Sequence, residues 1–185
     1  MKKPFTKSAL TLTEPQPERD HLRGPRNAPI KLLEYGDYEC PYCGAAHPVV
    51  QALCEELGER LCFAFRNFPL TNAHPHAQLA AEAAEAAGAQ GKFWEMHDLI
   101  FENQQALEPE DLAERAATLG LDVARLVKEL QTGVQAARVQ EDFQAGVRAG
   151  VNGTPTFFIN GERYDGVPDF DSMLAALSQS VPYHV

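Results

Sequence analysis

Helical periodicity runs almost without a break through the middle of the chain, from residue 74 to residue 151. Strand-like runs lie on both sides of this segment, at residues 30–35, 61–68, 155–159 and 162–164. Asn160-Gly161, between the last two runs, is the strongest short signal for a β-hairpin. This order predicts a central mixed sheet flanked by helices, with an all-helical subdomain inserted into it, which is an α/β architecture.

The same patterns divide the chain into three parts. Residues 1–28 are rich in proline, threonine and charged side chains without a sustained period, and predict an extended arm lying on or off the domain. Residues 29–70 and 152–182 carry the strands and predict the sheet core, and residues 71–151 predict the helical insertion. Capping residues mark several helix boundaries, namely Gly58, Asp122, Gly133 and either Asp169 or Asp171.

Composition excludes several classes of partner. The 185 residues include 16 basic and 26 acidic side chains, for a net charge of −10, and no basic stripe alternates with aromatic residues. Nucleic acid and anionic membranes are therefore not expected as partners. The residues after Met1 lack the apolar run of a signal peptide, and no run approaches the roughly 18 apolar residues of a membrane span. We therefore expect a cytoplasmic location, where thiols are kept reduced and a paired CxxC motif is more often catalytic than structural.

Cys40-Pro41-Tyr42-Cys43 lies between the first predicted strand and the first predicted helix. A thiol at a helix N-terminus faces unpaired N–H groups and the positive end of the helix dipole, which lower its pKa. Two intervening residues let the second sulfur reach the first within one turn, so a mixed disulfide can be resolved within the chain. Pro41 suits the first helical turn, where its missing N–H is not needed. The motif predicts thiol–disulfide exchange, with Cys40 as the exposed attacking thiol and Cys43 as the shielded resolving thiol.

Two further cysteines leave other interpretations open. All four, Cys40, Cys43, Cys54 and Cys62, could form a structural zinc module, although the spacing lacks a second CxxC or HxxxH pair. Cys54 and Cys62 could instead form a second disulfide, but the favoured interpretation of Cys54 is a buried free thiol.

Three histidines near the motif are assigned no catalytic role. His47, one helical turn after the second cysteine, could tune a thiol, but a solvated side chain is the favoured interpretation. His74 and His76 flank a proline at a predicted helix start, and nothing in their pattern indicates chemistry.

Together these features resemble the thioredoxin superfamily. A strand, CPYC, a helix and a much later Gly153-Thr154-Pro155 that opens a strand match the pattern of that family over roughly residues 28 to 180. The long helical insertion resembles its DsbA-like branch. Glu34, six residues before Cys40, matches a buried glutamate of DsbA-type proteins, and Pro48 matches a helix-kinking proline of many thioredoxins.

The resemblance implies a thioredoxin fold in which the Thr154–Pro155 peptide bond is cis and lies beside Cys40. It implies that Glu34 handles the proton of Cys43. In such proteins the backbone next to the proline pairs with an extended substrate, independently of substrate sequence.

The resemblance also implies that Pro41, Tyr42, Thr154 and Pro155 face the substrate. Neither an organic cofactor nor a metal is expected, and the partners would be protein or small-molecule thiols and disulfides, together with an unidentified redox partner. A glutathione-dependent transferase or isomerase on the same fold is a further alternative, although such chemistry does not require Cys43.

Overall fold

The computed structural model describes residues 12–180, which form a five-stranded mixed sheet flanked by helices. The strands are β1 (Leu22–Arg23), β2 (Ile30–Gly36), β3 (Leu61–Asn67), β4 (Thr156–Ile159) and β5 (Glu162–Tyr164). Their order across the sheet is β1-β3-β2-β4-β5; β2 and β3 are parallel and the other pairs are antiparallel. The mixed sheet that the sequence predicts is therefore confirmed, and the central strand β2 joins its two halves.

Seven α-helices complete the described part of the chain. They are α1 (Pro41–Leu57), α2 (Ala77–Gly88), α3 (Phe93–Glu102), α4 (Pro109–Thr118), α5 (Val123–Thr132), α6 (Ala136–Arg148) and α7 (Phe170–Gln179). Helices α2 to α6 lie between β3 and β4 in the chain, as the helical pattern predicts. Within residues 12–180, no helix is both long and apolar enough to cross a lipid bilayer.

Alternation along the central strands places two hydrophobic cores on the two faces of the sheet. Leu32 of β2 and Phe63 of β3 belong to the larger core, which contains residues of α1 and of the inserted helices. Leu33 and Ala64 belong to the smaller core on the opposite face, which α6 covers. Glu34 comes two residues after Leu32 in β2, so its side chain lies on the same face of the sheet, which α1 covers.

Capping residues set the helix and hairpin ends as the sequence predicts. Asp122 and Asp169 each accept a hydrogen bond of 2.9 Å from a backbone N–H in the first turn of the helix that follows. Gly133 ends α5 in the left-handed region with a φ of 63°. Asn160 and Gly161 also have positive φ values, 47° and 86°, as the tight turns favoured in two-residue hairpins require.

Ion pairs and a short strand hold the chain before β2 against the sheet. β1 pairs with β3, and the fully buried Arg66 side chain forms an ion pair with Asp20 at 2.7 Å. A two-residue strand carries no period, so the sequence offers no signal for β1. The part of the predicted arm at residues 1–11 lies outside the described residues, as do the final residues 181 and 182 of the predicted core. The boundaries between the three predicted parts stay a prediction.

Candidate redox active site

The CPYC motif lies where β2 passes into α1. β2 ends at Gly36, and after three connecting residues Cys40 becomes the N-cap of α1 with extended backbone angles, φ −71° and ψ 123°. Pro41 occupies the first helical position, as predicted. Both cysteines of the motif are free thiols, so the structure shows the reduced form with its sulfurs at the start of the helix.

The pKa of Cys40 is lowered from an ordinary value of 9.0 to about 5. The largest cause is a hydrogen bond from the Cys43 thiol; burial opposes it, and the Thr154 side chain and the N–H groups of Tyr42 and Cys43 add to the lowering. The Thr154 hydroxyl is buried and has no other hydrogen-bond partner within the described residues, so it is free to donate to the thiolate. Cys40 is therefore ionised at neutral pH, the state that attacks disulfides.

The pKa of Cys43 is shifted in the opposite direction. Burial raises its pKa well above the ordinary value, and the hydrogen bond with Cys40 and the charge of Glu34 raise it further. The sulfur accepts a 3.4 Å hydrogen bond from the backbone N–H of Asp37. Cys43 is therefore protonated at neutral pH, and it must lose its proton before it can act as a nucleophile.

Cys40 is more buried than predicted. Its residue is only 3% exposed, against 0% for Cys43. The reason lies in the loop before β4, where the carbonyl oxygen of Thr154 lies 3.4 Å from the Cys40 sulfur. The expectation of an exposed attacking thiol is corrected to a nearly covered one, and a substrate must approach along this loop.

The Thr154–Pro155 peptide bond is cis, which confirms the prediction made from the resemblance. The Thr154 carbonyl contact places this segment against the attacking sulfur. The Thr156 hydroxyl donates a 2.8 Å hydrogen bond to the carbonyl of Gly153, which fixes the chain as it enters β4. Residues more than a hundred positions apart in the sequence thus form one site.

Glu34 is buried on the α1 face of β2, with 3% of its surface exposed. Burial, and secondarily the charge of Cys40, raise its pKa to about 8. The neighbouring Gly36 makes room for this arrangement, since a Cβ there would lie 2.3 Å from the Phe65 ring and 3.0 Å from a Glu34 carboxyl oxygen. Glu34 is therefore mostly protonated at neutral pH and is electrostatically coupled to both thiols.

The two residues between the cysteines face solvent. Pro41 is exposed, and Tyr42 is 74% exposed although it is a large aromatic side chain. An exposed aromatic ring next to a reactive thiol suits contact with a partner. The substrate-facing role of both residues stays a prediction.

The four cysteines do not lie together at one site, so the alternative prediction of a four-cysteine zinc module is wrong. Cys62 alternates along β3 with Leu61 and Phe63, whose side chains face α1, so its own side chain lies on the opposite face of the sheet. Cys54 lies on α1 and packs partly against the larger core. The sheet therefore separates Cys54 from Cys62, which also argues against a disulfide between them, and both are free thiols.

Gln104, in the loop after α3, hydrogen-bonds the backbone around the CPYC motif, and the sequence did not predict this contact. Its side-chain amide donates to the carbonyl oxygens of Tyr38 at 2.8 Å and Cys40 at 2.9 Å. Gly44 permits this approach, because a Cβ at that position would lie 2.0 Å from the Gln104 side chain. No local pattern marks a glutamine whose partners are backbone groups of a distant loop.

Asp37 links the same loop to the segment that follows β3, and it was also missed. Its carboxylate accepts hydrogen bonds of 2.8 Å from the backbone N–H groups of Glu39 and Leu70, and it contacts His74 Nδ1 at 2.8 Å. Burial opposes protonation of His74, but the Asp37 contact and the charge of Cys40 raise its pKa. His74, to which the sequence assigned no chemistry, is therefore electrostatically coupled to the thiolate. His76 pairs with Glu39 at 3.0 Å on the outer side of this loop.

His47 is not the solvated side chain that the sequence favours. It is 8% exposed, and its ring stacks on Phe101 of α3 with the ring centroids 4.9 Å apart. Helical spacing alone could not reveal this burial, because α3 covers that face of α1 only in the tertiary fold.

Alkylation of Cys40 against pH is expected to show a midpoint near pH 5 in the wild-type protein. Cys43→Ala removes the donor that contributes most to this low pKa, so we expect the midpoint to rise by about one pH unit or more. Cys43→Ser keeps a hydroxyl that can donate to Cys40 and is the matched control. We expect a smaller rise in the alkylation midpoint for this variant. Mass spectrometry of the Cys40 peptide after pulses of iodoacetamide measures the rates. Equal midpoints for wild type and Cys43→Ala would show that the hydrogen bond is not the cause.

Comparison with known proteins agrees with this geometry. Residues 16–179 match the family model described as thioredoxin. BdbD from Bacillus subtilis superposes with a TM-score of 0.82 at 22% identity, covering 91% of this chain and 96% of that chain. α-DsbA1 from Wolbachia pipientis superposes with a TM-score of 0.77 at 20% identity, covering 91% and 93%. At these identities the two structures show a shared fold.

A curated relative is more similar in sequence but much longer. A protein of Salinispora arenicola named Na(+)/H(+) antiporter NhaA 1 is 48% identical over 164 residues, which are 89% of this chain and 25% of that protein. The chain spans about a quarter of the length of this relative and of a second one, from Salinispora tropica. Their names describe whole proteins of which only that quarter is matched. From the family match, the superpositions and the CxxC site, the chain belongs to the thioredoxin superfamily and has the fold of its DsbA-like thiol–disulfide oxidoreductases.

Proposed function

We propose that the chain catalyses thiol–disulfide exchange and that it works chiefly as an oxidant of substrate dithiols. One observation carries the proposal: two thiols at one helix start have oppositely shifted pKa values, about 5 for Cys40 and well above the ordinary value for Cys43. A stabilised thiolate favours the reduced form of the pair. The Cys40–Cys43 disulfide is correspondingly easier to reduce, and therefore a stronger oxidant.

The reaction begins from the disulfide form. A substrate thiolate attacks the Cys40 sulfur, the Cys40–Cys43 bond breaks, and Cys43 leaves and takes up a proton. A second substrate thiolate attacks the substrate sulfur of the mixed disulfide and releases Cys40 as a thiolate. The substrate loses two electrons to form a disulfide, and the chain gains them as one thiol and one thiolate.

Glu34 is the proton donor that we propose for Cys43. Its pKa of about 8 keeps it mostly protonated at neutral pH, and it is coupled to Cys43 by charge. A group with a pKa near the working pH can both give and regain a proton. In the reverse direction, the same carboxylate would remove the proton that prevents Cys43 from attacking.

Protein dithiols in extended segments are the substrates that fit best. The Thr154 backbone lies beside the attacking sulfur, where it can pair with a substrate strand by β-augmentation. Pro155 would continue the backbone that faces the substrate. The exposed Pro41 and Tyr42 would contact the substrate from the helix side. The proposal includes small-molecule thiols as further partners and a cytoplasmic location.

The redox potential tests the proposed direction. We expect purified protein, equilibrated with glutathione buffers at neutral pH, to have a potential nearer to about −120 mV than to about −270 mV, the range over which such sites operate. Quantitative thiol alkylation and mass spectrometry of the Cys40–Cys43 peptide measure the reduced fraction. A value near the reducing end would reject the oxidant role while leaving exchange intact.

The glutathione-dependent alternative predicts a different outcome. A transferase or isomerase would turn over its substrate with Cys43→Ala, since that chemistry does not require a resolving thiol. Exchange of a dithiol peptide would instead be lost in this variant.

A further inference from the structure

Three side chains that commonly ligate metals meet between α1 and α3, and one of them, His47, lies one helical turn after Cys43. One ring nitrogen each of His47 and His97 and one carboxylate oxygen of Asp98 all lie within 4.8 Å of one another. His47 Nε2 and Asp98 Oδ1 are 3.6 Å apart, which is too far for a hydrogen bond. Both atoms are buried and have no hydrogen-bond partner within residues 12–180. Buried polar atoms are nearly always satisfied, so two that face each other require an explanation.

Neighbouring groups orient these ligand atoms toward a common point. Arg23 binds the other carboxylate oxygen of Asp98 at 2.7 Å, which leaves Oδ1 for His47. The Tyr38 hydroxyl contacts His97 Nδ1 at 2.9 Å, which leaves Nε2 of that ring available. Outer hydrogen bonds of this kind fix the tautomer and orientation of metal-binding side chains.

Both imidazoles are held in aromatic surroundings. His97 is 2% exposed and packs edge-on against Phe65, with ring centroids 4.7 Å apart, while His47 stacks on Phe101. The site therefore offers two ring nitrogens, held in place by packing, and one carboxylate oxygen.

We propose that His47, His97 and Asp98 bind one zinc-class divalent cation. Two imidazoles and one carboxylate form a donor set suited to such a cation, with water in the remaining position. A cleft of about 350 Å³, lined by Asp98 and by Gln51 of α1, gives solvent access to the carboxylate. This inference goes beyond the proposed function, since exchange at the cysteines requires no metal.

The metal would require a small contraction of the site. Bonds of about 2.0–2.1 Å in a tetrahedral arrangement place ligand atoms roughly 3.3 Å apart. In the structure, the three ligand atoms are separated from one another by up to 4.8 Å. Asp98 is 27% exposed in its side chain and lies at the solvent edge, so it can move inward. The Arg23 guanidinium, which lies over the Trp94 ring at 4.5 Å from its centroid, opposes a dication and limits the affinity.

Titration of oxidised, chelator-treated protein with Co²⁺ and then Zn²⁺ tests the site, because the disulfide removes Cys40 and Cys43 as ligands. We expect one cation per chain, visible Co²⁺ bands without thiolate charge transfer, and a rise in the thermal unfolding midpoint with Zn²⁺. His47→Gln and Asp98→Asn should each weaken binding by more than about tenfold. His76→Gln removes a histidine that also contacts carboxylates and is the matched control, with binding unchanged.

Two results would overturn the proposal. One is the absence of both the Co²⁺ bands and the Zn²⁺-dependent rise in midpoint for the wild-type protein, which involves no variant and no question of folding. The other is undiminished binding in Asp98→Asn and His47→Gln, once circular dichroism has shown that they are folded. Loss of dithiol exchange by the wild-type protein would count against the proposed function alone.

Discussion

Cys40→Ser is expected to reduce dithiol–disulfide exchange by at least about a thousandfold, because a serine hydroxyl is not ionised near neutral pH and cannot form a disulfide. Cys43→Ser should instead trap mixed disulfides, since Cys40 still attacks a substrate disulfide but no thiol resolves the product. The burial of Cys43 and its raised pKa explain why it cannot take over the attack. Non-reducing electrophoresis and intact-mass measurements on protein mixed with a disulfide-containing peptide distinguish the two variants.

Cys62→Ser is the matched control for the loss of one thiol. Cys62 lies on the opposite face of the sheet, so this variant should exchange at the wild-type rate. If Cys40→Ser accumulates adducts through Cys43, the two roles have been assigned in the wrong order.

Glu34→Gln is expected to change how the stability of the reduced protein depends on pH. The folded pKa of Glu34, about 8, is above its ordinary value of 4.5, so the folded state binds more protons between these values. The contribution of Glu34 to the free energy of unfolding therefore falls as pH rises through this window, by at most about 1.4 kcal/mol per pH unit. Cys40 acts in the opposite direction, because its lowered folded pKa adds stability as pH rises from about 5 toward 9.

In the wild-type protein these two contributions oppose each other, and Glu34→Gln removes one of them. The variant should therefore gain stability relative to wild type as pH rises, reaching a few kcal/mol at pH 8. Urea unfolding under reducing conditions at several pH values measures the difference. Glu59→Gln, at an exposed position, is the matched control for loss of one carboxyl group. A stability difference that does not grow with pH would show that Glu34 is ionised when folded.

The sequence was sufficient for the order of the elements from β2 onward and for the position of the CPYC motif at the start of α1. The CPYC motif at a helix start and the caps at Asp122 and Asp169 depend on local chemistry, which short sequence patterns record directly, whereas the cis peptide bond before Pro155 was expected only from the family resemblance. The placement of Thr154 beside Cys40 came from a family resemblance, since no local rule joins segments so far apart.

The supporting residues could not be predicted in this way. Gln104 binds backbone carbonyls, and any polar side chain that arrives there could do the same. Asp37 accepts hydrogen bonds from two segments that meet only after the sheet has formed. The burial of His47 depends on where α3 crosses α1, and helical periodicity does not specify which helix will cover a given face.

The near-complete cover over Cys40 affects how the protein withstands peroxide. A thiolate with so low a pKa is the kind of sulfur that hydroperoxides oxidise, but only 3% of this residue is reachable. If a sulfenic acid does form, the Cys43 thiol already hydrogen-bonded to that sulfur can condense with it, expel water and leave the Cys40–Cys43 disulfide. The first oxidative lesion at this site would thus be converted into the Cys40–Cys43 disulfide, from which the proposed exchange begins, ahead of the irreversible sulfinic and sulfonic acids.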